Sequence, residues 1–126
     1  MQGYDAKIME SSCELSAKDR IKMKDTTVTK SLDELTKEAP VDIHYGGYVI
    51  IAVHNEKSDH KDYTKYVIWD KDNDERYATG SESFWSAFQQ IYNEMLEEGE
   101  EDFSIRVYRK PSKNYVGRDF ITCTVL

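Results

Sequence analysis

The chain has 126 residues, 39% of them hydrophobic and 12% aromatic, with a net charge of −7. That length suits one domain with a modest core, and the apolar fraction exceeds what a disordered chain carries. The acidic balance excludes coating of duplex DNA by bulk electrostatics, while the lack of a run near ~20 apolar residues or of a charged-then-apolar leader predicts a cytoplasmic protein without membrane contact.

Residues 1–40 show no sustained β alternation and are expected to form an N-terminal arm, partly helical or flexible. Ser16-Ala-Lys-Asp-Arg-Ile-Lys-Met-Lys can make a helical turn or two. Ser31-Leu-Asp-Glu has the capping-box spacing, with Glu34 three residues after Ser31. Only Leu32 and Leu35 give that second helix an apolar seam. Pro40 ends the arm, because it disfavours α geometry at Ala39. Cys13 in this polar segment and Cys123 in a strand-like run are read as free thiols of a reducing compartment.

From Ile43 the pattern changes, and residues 41–126 are expected to form the folded domain. Tyr48–His54 is a continuous β-branched run, too short for a buried helix and long enough for a central strand. Tyr63–Trp69 makes a second strand, followed by the turn-rich Asp70-Lys-Asp-Asn-Asp-Glu75 and a short strand at Arg76–Thr79. Phe84, Phe88, Ile91, Tyr92, Met95 and Leu96 then fall on one helical stripe. Ser81 or Ser83 can cap its start, and Gly99 suits a left-handed C-terminal cap. Strands at Phe103–Arg109 and Arg118–Val125 complete the chain.

Three strands, a helix and two strands, joined by short connections, predict a mainly β protein with one helix: a five-stranded antiparallel OB-like barrel with the helix between strands 3 and 4 and an extended N-terminal arm. An open antiparallel sheet with one helix across a face has the same periodicity.

Charge is segregated along the chain. Arg106, Arg109, Lys110, Lys113 and Arg118 form a basic island with no acid inside it, and Tyr108, Tyr115 and Phe120 are threaded through or beside it. Cations that meet phosphates, next to rings that stack on bases, are the chemistry of single-stranded nucleic-acid binding. Arg106 and Tyr108 share a strand parity, so pairing of the last two strands can bring them onto one face with Phe120. The Lys110–Arg118 turn would clamp the phosphate backbone, with Gly117 permitting a close bend. Lys65, between Tyr63 and Trp69 in parity, can extend the platform. Trp69 itself reads as a core residue, and Trp85 as a plug or partner contact.

Residues 45–126 resemble the small single-stranded-DNA-binding proteins of bacteriophages and conjugative elements in Gram-positive bacteria. The resemblance rests on Tyr77-Ala-Thr-Gly-Ser-Glu-Ser-Phe-Trp85, leading into the helix, and on Pro111-Ser-Lys-Asn-Tyr-Val-Gly-Arg-Asp-Phe-Ile-Thr-Cys123 at the close of the domain. It implies a non-enzymatic protein of a bacterial host cell that binds single-stranded DNA with little sequence preference during phage or mobile-element replication or recombination. The arm would then contact further copies of the chain or a replication protein.

Glu94, Glu97, Glu98, Glu100, Glu101 and Asp102 form an opposing acidic cluster. It reads as a solvated helix end, and its sharper alternative is a small acidic phage protein acting through protein contacts, as an inhibitor, counter-defence protein or DNA mimic. His44, His54 and His60 lack metal-site spacing, and no nucleophile elbow, phosphate loop or dinucleotide fingerprint is present. Neither an enzyme nor a cofactor is expected.

Overall fold

The computed structural model describes residues 4–25, 29–57, 62–112, 117 and 119–126. Among them the elements run β1 (Tyr4–Ser11), α1 (Ala17–Lys24), β2 (Thr29–Ser31), α2 (Leu32–Glu38), β3 (Val41–Asn55), β4 (Asp62–Asp70), β5 (Arg76–Thr79), α3 (Glu82–Glu98), β6 (Ser104–Pro111) and β7 (Asp119–Val125). The protein is mainly β, but the predicted five-stranded antiparallel OB-like barrel with one helix is wrong. Among the described residues seven strands form a sheet of order β2-β5-β4-β3-β6-β7, with β1 also on β3, and three helices accompany it. The extra strands come from the first 40 residues, where no alternation announces them. None of the described helices is long and apolar enough to cross a membrane.

The chain divides into two compact units, residues 1–30 with 46–80 and residues 31–45 with 81–126. In the first, the β-branched run of β3 is the spine. β1 pairs with it antiparallel, Ala6 opposite Val53 and Ile8 opposite Ile51, with a register shift between Ile8 and Glu10. Val49, Ile51 and Val53 pack with Val67, Ala78 and Met23 of α1. Met23 is delivered by a helix that starts at a full capping box: the Ser16 hydroxyl accepts from the Asp19 amide and the Asp19 carboxylate from the Ser16 amide. The β4–β5 turn is organised by the buried Asp70, whose carboxylate accepts from the Asp72 and Asn73 amides at 2.8 and 3.3 Å.

Gly46 and Gly47 lie inside β3, where glycine ordinarily weakens a strand. Their reason is Trp69. Its indole lies against both glycines, and a Cβ added at Gly47 would lie 2.0 Å from the ring. Trp69 also packs on the core of this unit, as its sequence context suggested.

In the second unit, Val41–Ile43 of β3 pair with β6 and β6 pairs along its length with β7, all antiparallel. Ile43, Ile105, Val107, Ile121 and Cys123 are buried on one side of these strands. The predicted stripe of α3 meets them as an aromatic cluster. Phe84, Trp85 and Phe88 are buried, Trp85 stacks on Phe88 at 5.2 Å, and Tyr45 stacks on Phe103 at 4.9 Å. The Ser81 hydroxyl caps the Phe84 amide, and Gly99 closes the helix at φ 72°, a left-handed geometry that glycine adopts without a Cβ penalty. Ser83 fixes the helix start by donating to the Ile121 carbonyl at 2.7 Å. Ser31 caps α2 through the Glu34 amide, and Ala39 leaves the helix in extended geometry before Pro40, as expected.

Candidate nucleic-acid interface

Strand register decides which candidate residues meet. Arg106, Tyr108 and Lys110 of β6 lie opposite Thr124, Thr122 and Phe120 of β7, and Asp42 of β3 lies opposite Arg106. Opposed residues in an antiparallel pair share a face, so these side chains make one strip on the side away from Ile105 and Val107. Arg106, Lys110 and Thr124 are exposed, and Tyr108, Phe120 and Thr122 are half-buried. Tyr108 and Phe120 are diagonal neighbours across the ladder, an arrangement that sets side chains roughly 7–8 Å apart. The sharing of a face by Arg106, Tyr108 and Phe120 is therefore present.

Arg106 does not stand on that face as a free cation. Its Nε donates to one Asp42 oxygen at 2.7 Å and its Nη2 to the other at 3.0 Å, a bidentate fork. The hydrogen bond holds the Asp42 carboxyl below its ordinary range and raises the guanidinium further. The partner comes from 64 residues away in sequence, so nothing local in the basic island reveals it.

Arg109 has the other parity and lies opposite Ile121. Its Nε donates to the Thr36 hydroxyl at 3.2 Å, its Nη2 to the Asp33 carbonyl at 2.7 Å, and its Nη1 to Asp119 at 2.9 Å. Thr36 is buried and its hydroxyl donates a hydrogen bond to the Leu32 carbonyl at 2.7 Å. Arg109 thus fastens α2 and the start of β7 to β6, and it is not on the strip with Tyr108. Arg109 and Asp119 also line a hollow of about 380 Å³ with Pro111, Ser112 and Gly117 at the foot of the β6–β7 turn.

Lys113, Tyr115 and Arg118, the proposed phosphate clamp, lie outside the described residues. Lys65 belongs to the other unit. It shares parity with Val67 on the core side of β4 and is half-buried; burial lowers its ammonium pKa, with the Asp25 carboxylate acting in the opposite direction. It is a poor match for an open phosphate-contacting lysine. The acidic end of α3 and the segment after it are exposed from Glu97 to Asp102, and Leu96 beside them is 54% exposed.

No group of three or more His, Cys, Asp or Glu among the described residues could hold a metal ion. His54 has both ring nitrogens against carboxylates, Nδ1 on Asp62 at 2.7 Å and Nε2 on Glu56 at 2.6 Å. His44 bonds to Asp102. Comparison of the chain with family models, with curated proteins and with solved structures finds no match.

Proposed function

We propose that this chain binds single-stranded DNA with little sequence preference, as a non-enzymatic protein of phage or mobile-element replication. What supports the reading is the β6–β7 register, which sets the half-exposed rings of Tyr108 and Phe120 on one face with the exposed Lys110. A base stacked on an exposed ring gains roughly 1–3 kcal/mol whatever its identity, and a lysine beside the rings meets the connecting phosphate. Thr122 and Thr124 add hydroxyls that can bond to phosphate oxygens. Two further cations, Lys113 and Arg118, follow in sequence. No bond is made or broken; the strand is held by stacking and charge.

The test is a fluorescence titration of the full chain with poly(dT) across a salt series. Quenching with a negative log–log salt slope is the expected result. No binding at about 50 mM salt rejects the reading, since phosphate contacts are strongest at low salt.

A second reading is favoured by two other observations. Arg106 and Arg109 already face carboxylates, and the acidic end of α3 is exposed beside Leu96. These suit a protein that acts through contacts with a basic partner protein, and it is the reading that a failed DNA titration would leave.

A further inference from the structure

We propose that Asp42 is a built-in competitor for phosphate: its carboxylate occupies the guanidinium fork of Arg106 that a DNA phosphate would otherwise take. This rests on the single-stranded-DNA reading and concerns the regulation of that same face. The geometry carries it. An arginine fork matches carboxylate and phosphate through the same two parallel N–H donors. Here both donors, Nε and Nη2, are filled at 2.7 and 3.0 Å by the two Asp42 oxygens.

The pair is also accessible. Both side chains are about half exposed, at 48% and 50%, so an incoming phosphate can reach them. Strand register puts Asp42 directly across from Arg106 on the strip that holds Tyr108, Lys110 and Phe120. A nucleic-acid backbone crossing those rings therefore meets one anion for the one cation at this point. Exposed ion pairs are weak, which makes the exchange of carboxylate for phosphate feasible instead of locking the arginine away. Asp42 consequently lowers affinity and flattens the salt dependence, leaving a strand that is released more readily than the basic composition of the segment suggests.

The experiment compares the full-length wild type, Asp42→Asn and Asp42→Asn/Arg106→Gln for poly(dT) binding across a salt series. Thermal melts check that each variant is folded, and Asp42→Thr serves as a second, strand-compatible variant. Asp42→Asn is expected to bind roughly two- to fivefold more tightly at low salt, the range that an exposed ion pair is worth. Its log–log salt slope should steepen by about 0.7, one further single-strand phosphate contact. Adding Arg106→Gln should return the slope to the wild-type value. Glu97→Gln, which changes net charge equally on the α3 end, should leave the slope unchanged.

If wild type binds and Asp42→Asn matches it in affinity and slope, the competitor role is overturned while the DNA reading stands. Equal gains from Glu97→Gln also overturn it, by showing a bulk charge effect. If no variant binds poly(dT) at low salt, both the inference and the reading beneath it fall.

Discussion

A Cβ placed on Gly47 would lie 2.0 Å from Cζ2 of Trp69, so the strand backbone and the indole are in direct contact. Real Cβ atoms do not approach that closely, and the ring is a rigid neighbour wedged against the core of its unit. Gly47→Ala should therefore destabilise the protein by about 1–3 kcal/mol or more, the cost of overpacking a filled site. Urea denaturation measures it. Trp69→Leu in the same chain should recover part of the loss, and a Gly47→Ala protein as stable as wild type would refute the contact.

Arg109 is expected to matter for stability and not for DNA contact. Arg109→Met leaves the buried Thr36 hydroxyl and the Asp33 carbonyl without its donors, and charged hydrogen bonds of this kind are worth about 1.5–3 kcal/mol. Arg109→Lys should fail to restore stability, since one ammonium cannot reproduce a fork spread over three acceptors. Hydrogen exchange should show α2, Leu32–Glu38, losing protection first. A melting temperature unmoved by Arg109→Met would contradict this role.

The two rings on the β6–β7 face give a prediction specific to stacking. Tyr108→Ala and Phe120→Ala should each weaken poly(dT) binding by roughly 1–3 kcal/mol while leaving the salt slope close to wild type, because stacking releases no counterions. Lys110→Gln should do the reverse and flatten the slope by about 0.7. If the ring variants change slope and the lysine variant does not, the assigned roles are wrong.

His54 provides a pH test. Hydrogen bonds from both ring nitrogens to carboxylates require both nitrogens to donate, which only the imidazolium does. Asp62 first, then Glu56, raise its pKa above 6.5. The Asp5 position of β1 lies directly opposite, and Asp5 and Lys7 line the same depression as His54 and Asp62. Because the folded value is raised, the stabilisation is fully present below 6.5 and is lost as pH rises through the raised value. NMR titration should place the His54 midpoint above 6.5, and Asp62→Asn should bring it down. An identical midpoint in Asp62→Asn would sink the assignment.

The two cysteines should differ sharply toward thiol reagents. Cys123 is buried on β7 and burial pushes its pKa up to about 12, whereas Cys13 is exposed. Since the thiolate is the reactive form, native protein near pH 8 should take one label, at Cys13, and urea-unfolded protein two. Mass spectrometry of the labelled chain reads the outcome directly. Rapid native labelling of Cys123 would mean that β7 does not bury it.

Much of the local structure was legible because the signals are local. Ser81 and Gly99 bound α3, its stripe buries Phe84 and Phe88, and Ser31 and Pro40 bracket α2, all within a few residues of the group they control. The strand β1 was not legible. Ala6 and Ile8 alternate weakly, and the register shift before Glu10 breaks the two-residue period that would have marked it. The continuous β-branched run begins only at Tyr48, whereas β3 begins at Val41, because Gly46 and Gly47 interrupt its side-chain pattern.

By itself, the sequence determined where α2 and α3 start and stop, which runs from Tyr48 onward are extended, and that five cations and three rings crowd the C-terminal stretch. The tertiary structure decided what those side chains face. Strand pairing brings Asp42 to Arg106 across 64 residues and turns Arg109 toward Thr36 across 73. Caps and periodicities are set by neighbours along the chain, whereas the partner of a strand residue is set by register between distant segments, and one residue of slip would exchange the two faces.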